Sequence, residues 1–100
     1  MDILSQYQNQ IGSLCKKHCV SELFVFGSIL NDSFNEGSDI DFIVDFTDVS
    51  LEEYADNYFD LKFSLEVLLK RDIDLLEKKA IRNPYLKESI DSTKQLVYEA

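Results

Sequence analysis

The sequence predicts a small α/β sandwich, in which a mixed or antiparallel sheet of three strands, or four with one extra short strand, packs against helices. Three observations predict it. Apolar residues recur at helical spacing over two long stretches. The segment Asp39 to Phe46 alternates with the period of two that a strand requires. Helical and extended patterns then follow one another as α-β-(short α)-β-α-β-α, with no repeat, linker or low-complexity segment. The whole chain, residues 1–100, is expected to be one domain.

Taken in order, Asp2 to about His18 carries Ile3, Tyr7, Ile11, Leu14 and Cys15 on one helical face. Leu23 to Phe26 is a short apolar strand, broken by Gly27-Ser28. Ile29 to about Asp32 suits one or two helical turns starting at Ser28, and Ser33 to Ser38 has loop composition. Asp39 to Phe46 is the second strand, the expected antiparallel partner of the first. Ser50 opens the next helix with a capping box, since Glu53 follows three residues later. Leu51, Tyr54, Ala55, Tyr58, Leu61, Leu65, Leu68 and Leu69 mark its expected buried face. Ile73 to Glu77 reads as a third strand with Asp72, Asp74 and Leu76 on one side. Asn83-Pro84 is an N-cap followed by proline in the first turn. The final helix is expected to turn Leu86, Ile90, Thr93 and Val97 inward.

Composition narrows the function. A net charge of −9 argues against a dedicated nucleic-acid binder, because phosphate neutralisation needs clustered Lys and Arg. The basic residues are scattered instead, with Lys16-Lys17, Lys70-Arg71 and Lys78-Lys79 as pairs. A nucleotide brought in with Mg²⁺ remains compatible with an acidic site, since the metal supplies the positive charge. The first residues are neither basic nor continuously apolar, and no apolar run reaches the ~18–20 residues needed to span a bilayer. The expectation is therefore a cytoplasmic protein without membrane contact, in which Cys15 and Cys19 are reduced thiols.

The chemistry concentrates between Phe24 and Phe46. Asp39 and Asp41 alternate with Ile40, Phe42, Val44 and Phe46, so both carboxylates share one face of the strand, with Asp45 on the same side. Aspartate is disfavoured in strands, and Asp74 repeats the anomaly in the third one. Carboxylates so spaced are oxygen ligands for a hard divalent cation such as Mg²⁺. Gly27 permits close approach of backbone to a ligand, and backbone N–H groups with the Ser28 hydroxyl suit a phosphate. The plainer alternatives are a solvated strand face for the aspartates and a simple turn with Ser28 as N-cap. Cys15, His18 and Cys19 offer too few ligands for structural zinc and read as ordinary helix residues.

Together these residues resemble a known signature. Gly27-Ser28, ten intervening residues, then Asp39-Ile40-Asp41 and an apolar run are similar to the nucleotidyltransferase superfamily related to DNA polymerase β. The chain is most similar to the minimal nucleotidyltransferase (MNT) family. Ser38-Asp39-Ile40-Asp41 and Ile73-Asp74-Leu75-Leu76 match its strand motifs, and Asn83-Pro84 with Val97-Tyr98-Glu99-Ala100 is similar to its closing helix. The resemblance implies a small polymerase β-like fold and transfer of AMP, or another nucleoside monophosphate, from a triphosphate such as ATP. It implies that Asp39 and Asp41 hold two Mg²⁺ ions. Asp74 would complete the first metal site and help deprotonate the acceptor hydroxyl, with Asp72 as its rival. Gly27 and Ser28 would position the β- and γ-phosphates.

Many members of this family are antitoxins paired with helical HEPN-domain toxins, so the resemblance also implies a hetero-oligomer with such a protein as acceptor. One departure stands out: where the family commonly has arginine after Gly-Ser-x and a small residue, this chain has Leu30 and Asn31. Lys62, Lys70 and Arg71 are the candidates to replace that charge. Asn31 favours the alternative reading, a binding module that silences its partner by covering it.

Overall fold

The computed structural model describes residues 2–30, 35 and 37–100. The first helical stretch divides into α1 (Asp2–Gln6) and α2 (Gln8–Lys17). The break at Tyr7 is slight, because its N–H still donates to the Ile3 carbonyl and its own carbonyl accepts from Ile11 N–H at 2.9 Å. Strand β1 (Val20–Phe26) begins earlier than its apolar core suggested, and a 3-10 turn covers Gly27–Leu30. Strand β2 spans Ile40–Phe46, helix α3 Leu51–Leu69 and strand β3 Ile73–Glu77. A second 3-10 turn, Lys78–Ala80, leads to α4 (Pro84–Thr93) and β4 (Gln95–Glu99).

The caps read from the sequence are present. Ser50 Oγ accepts from Glu53 N–H at 3.3 Å, and Asn83 Oδ1 accepts from Tyr85 and Leu86 N–H at 2.9 and 3.2 Å.

The sheet has four strands in the order β3-β2-β1-β4 and is mixed. β1 is antiparallel to both β2 and β4, whereas β2 and β3 run parallel. The parallel pair requires a long crossover, and α3 supplies it. One sheet face carries Leu23, Val25, Ile40, Phe42, Val44, Ile73 and Leu75, which are buried with Ile11, Cys15, Leu61, Leu65 and Leu69 of α2 and α3. The other face bears the odd-numbered positions of β2, Asp41, Ile43 and Asp45. There α4 covers only the middle, where Ile43 and Ile90 enclose a small void of about 20 Å³ with the stems of Lys78, Lys87 and Lys94.

Three expectations are corrected. In the last helix Ile90 turns inward, but Leu86 and Thr93, expected beside it, are exposed, because α4 meets the sheet through Ile90 alone. The last helix stops at Thr93, and Val97 to Ala100, read as part of a closing helix, instead follows Gln95 into β4 and its end. Lys94 is extended (ψ 150°), and the Leu96-Val97-Tyr98 run then pairs with the backbone groups of β1, which would otherwise be an open edge. Leu51 and Ala55 are exposed rather than buried, because Tyr54 and Tyr58 take the inward side of these turns, against Phe46 and β3; Leu51 is 93% exposed.

Candidate active site

The sheet register builds the site. Asp41 stands opposite Phe26, the last residue of β1, and opposite Asp74 on β3. Since the three positions share a face, the central strand presents its carboxylate between the Gly27 corner and the second aspartate. Asp39 lies just before β2, where Ile40 N–H donates to the Asp72 carbonyl at 3.1 Å and carries the parallel pairing one step further.

The electrostatics report the same convergence. The Asp41 carboxyl titrates above its ordinary value, first because burial disfavours its charge, then because Asp74 and Asp39 repel it. Asp39 and Asp74 are themselves exposed. Asp72, the rival third carboxylate, exerts no such effect on Asp41; it lies beside Asp39 instead.

Gly27 has φ +78°, and a Cβ there would collide with the Asp41 carboxylate. The glycine is thus demanded by the aspartate as well as by the turn. The Ser28 side chain and Asn31 lie outside the described residues. Asp45 shares the face of Asp41 but sits four residues along β2, about 13 Å away. There it pairs in register with Glu22 and lies 3.6 Å from Lys79 Nζ, so it belongs to a separate charge cluster.

A polar cavity of about 420 Å³ adjoins the site, lined by Gly37, Ser38, Asp39, Glu66, Lys70, Arg71 and Asp72. Of the three candidates to replace the missing arginine, it therefore gathers Lys70 and Arg71, and not Lys62. Arg71 Nη1 donates to the Asn35 and Ser38 carbonyls at 2.6 and 3.1 Å. That pins the approach to Asp39 against the approach to β3. The sequence flagged Arg71 as a charge without placing it; its position between α3 and the Asp74 strand was the available signal. A larger groove of about 590 Å³ lies between α2 and α3, but it is apolar and holds none of these carboxylates.

Nearby, Tyr58 OH donates to the Leu75 carbonyl and Tyr54 OH to Glu77 Oε2 at 2.6 Å, anchoring α3 to β3. Burial, then Glu77 and Asp74, hold the Tyr58 phenol above its usual range, so it remains a donor. His18, part of the apparent metal motif, is a structural residue. It is buried, with Nδ1 at 2.7 Å from the Leu14 carbonyl and Nε2 at 2.5 Å from Asp60. Burial pushes the Cys15 thiol up to about 12, which makes it inert.

A carboxylate face at the end of a Gly-Ser corner, on a β-sheet of this order, defines a nucleotidyltransferase. The chain belongs to the nucleotidyltransferase domain family, whose model matches residues 8–97. A candidate protein adenylyltransferase of Methanocaldococcus jannaschii, MJ0128, is 36% identical over 97 residues, covering 97% of this chain and 91% of that protein. A second from the same organism, MJ1379, is 37% identical over 82 residues, covering 82% of this chain and 79% of that protein. Among solved structures, a candidate minimal nucleotidyltransferase superposes with TM-score 0.77 at 26% identity, covering 94% of this chain and 92% of that one. The MNT antitoxin solved with a tri-AMPylated Shewanella oneidensis HEPN toxin shares the fold, with TM-score 0.66 and 18% identity over 97% of this chain and 73% of that one. A toxin-antitoxin chain solved with AMP-PNP shares it too, with TM-score 0.70 and 20% identity over 93% of this chain and 73% of that one.

Proposed function

We propose that this nucleotidyltransferase moves AMP from ATP to a hydroxyl on a helical HEPN-type protein and thereby silences it. The observation that carries the reading is the Asp41–Asp74 register pair with Asp39 beside it. The donor set fits Mg²⁺, because these are hard carboxylate oxygens and their mutual repulsion is what a divalent cation relieves. Among the described residues, no three acidic, thiol or imidazole groups form a ready-made cage. We assign Asp39 and Asp41 to both ions and Asp74 to the first. Bound there, the ions would neutralise phosphate charge and acidify the acceptor hydroxyl.

The chain's own groups do the rest. Backbone N–H groups at Gly27 and Ser28, with the Ser28 hydroxyl, hold the β- and γ-phosphates. Asp74 takes the proton of the acceptor hydroxyl as its oxygen bonds to the α-phosphorus. The bond from that phosphorus to the bridging oxygen breaks, and pyrophosphate leaves. Lys70 and Arg71 supply positive charge beside Asp39. The high coverage of the candidate protein adenylyltransferases supports a protein acceptor, and the named state of the Shewanella oneidensis toxin supports AMP and a HEPN partner.

The test is incubation with labelled ATP, Mg²⁺ and a HEPN-type protein from the same organism. A mass gain of AMP on that protein, lost with Asp41→Asn, is expected. A second reading follows from Asn31 in place of the family's arginine: silencing by coverage alone. It predicts that Asp41→Asn still silences the partner and that no mass gain occurs.

A further inference from the structure

On each side of Asp74, a side chain of α3 holds the main chain of β3. Glu66 Oε2 accepts from Ile73 N–H at 3.3 Å, and Tyr58 OH donates to the Leu75 carbonyl. The phase of the parallel pairing explains why these groups are within reach. Ile40 N–H donates to the Asp72 carbonyl, so residues 72, 74 and 76 turn their backbone toward β2. Residues 73 and 75 turn theirs the other way, to the outer flank of an edge strand.

Helix and strand run in opposite directions, and their contacts keep step. Tyr54 reaches Glu77, Tyr58 reaches Leu75 and Glu66 reaches Ile73. Four helical residues advance about 6 Å and two strand residues about 6.6 Å, so Tyr54 and Tyr58 match the strand closely. From Tyr58 to Glu66 the helix advances about 12 Å, and the long Glu66 side chain makes up the difference. The three contacts are not equivalent. Tyr54 grips a side chain three residues past Asp74, whereas Tyr58 and Glu66 grip the backbone at its two neighbours. Asp74 itself is exposed, so packing does little to orient it. A main chain held at both neighbours fixes the direction in which the carboxylate between them leaves the strand.

We propose that Tyr58 and Glu66 are positioning residues: they clamp β3 at Leu75 and Ile73 and so keep the Asp74 carboxylate at the metal site beside Asp41. The proposal rests on the assignment of Asp74 to the first ion made above. Groups that orient a metal ligand without touching the metal are typically worth about tenfold or more in affinity. Tyr58 packs against the apolar core, on the side of the sheet away from Asp41 and Asp74. Glu66 lines the polar cavity with Asp39, but its hydrogen bond goes to Ile73.

Titration with Mn²⁺ alone, followed by electron paramagnetic resonance well below the melting temperature, separates this role from plain support of the sheet. Asp74→Asn is expected to weaken binding, and Tyr58→Phe and Glu66→Met are each expected to weaken it about tenfold. Glu66→Gln loses the charge but keeps an acceptor for Ile73 N–H, and is expected to bind close to the wild type. Tyr54→Phe loses a hydrogen bond of the same kind and should lower the melting temperature without changing Mn²⁺ affinity. In an Asp74→Asn background, neither Tyr58→Phe nor Glu66→Met should weaken binding further, because the clamp acts through that carboxylate. Circular dichroism checks that each variant folds, and Tyr58→Phe, which removes one oxygen atom, carries the test if Glu66→Met does not. Tyr58→Phe binding as the wild type does, where Asp74→Asn does not, overturns the clamp and leaves the proposed function standing. So does Glu66→Gln as weak as Glu66→Met, or a loss that persists in full without the Asp74 carboxylate. Mn²⁺ binding indifferent to Asp74→Asn overturns the metal assignment itself, and the clamp with it.

Discussion

At Gly27 the chain leaves β1 with a positive φ, and any side chain there would strike the Asp41 carboxylate. Gly27→Ala is therefore expected to cost roughly 1–2 kcal/mol in urea unfolding, from backbone strain alone, and more from displacing Asp41. It should also remove the thermal stabilisation that the proposed function predicts for the wild type with Mg²⁺-ATP. Asp41 carries the opposite liability. Its carboxyl is raised by burial and by Asp74 and Asp39, so the folded state holds that proton more tightly than the unfolded one. Stability associated with Asp41 therefore falls as pH rises from the ordinary carboxylate range through the raised value, and is lowest above it. Asp41→Asn should raise the metal-free melting temperature at pH 7. The gap should narrow on acidification through that window, and the response to Mg²⁺-ATP should vanish. Arg71 acts through backbone. Arg71→Ala is expected to cost about 1 kcal/mol and to raise KM for ATP more than it lowers kcat, since the segment leading to Asp39 loses both carbonyl tethers. Arg71→Lys should recover part of the KM effect, which steady-state kinetics would show.

Among the elements, α4 tests how far a local signal specifies structure. Asn83 receives two N–H groups from the first turn, and Asn83→Ala should cost about 1 kcal/mol by thermal unfolding without altering Mg²⁺-ATP binding. That cap was legible because it depends on neighbours in sequence, as was the Ser50 cap of α3. The two-residue alternation of β2 likewise placed Asp39 and Asp41 on one side before any partner strand was known. The end of α4 was not legible. Leu86, Ile90, Thr93 and Val97 fit a helical face well, and only the open edge of β1, distant in sequence, draws residues 95–99 into a strand. Leu51 was misread because a helical stripe is wider than the surface it covers, and Tyr54 rather than Leu51 takes the inward place in the first turn. In the site, the Asp41–Asp74 pairing depends on a parallel register across α3, so the motif suggested the residues and the fold supplied their apposition.

Over the whole molecule, the two sheet faces divide the labour. Helices α2 and α3 seal the apolar side, and α4 leaves the carboxylate side largely open; among the described residues no helix is long and apolar enough to cross a membrane. The sheet has two edge strands, β4 on the flank of β1 and β3 on the flank of β2. An edge strand invites pairing with another chain, and short, charged strands discourage it. β3 has five residues, Asp74 within it, Glu77 at its end and Asp72 just before it. On this reasoning Asp74, proposed for catalysis, would also act with Asp72 and Glu77 as a gatekeeper against β-aggregation. Asp74→Val is expected to scatter light on concentration under conditions where Asp74→Asn, equally without its carboxylate but still polar, stays clear. Selection to keep this protein dispersed in a crowded cell would then preserve an acidic β3 even in a descendant that had stopped transferring nucleotides.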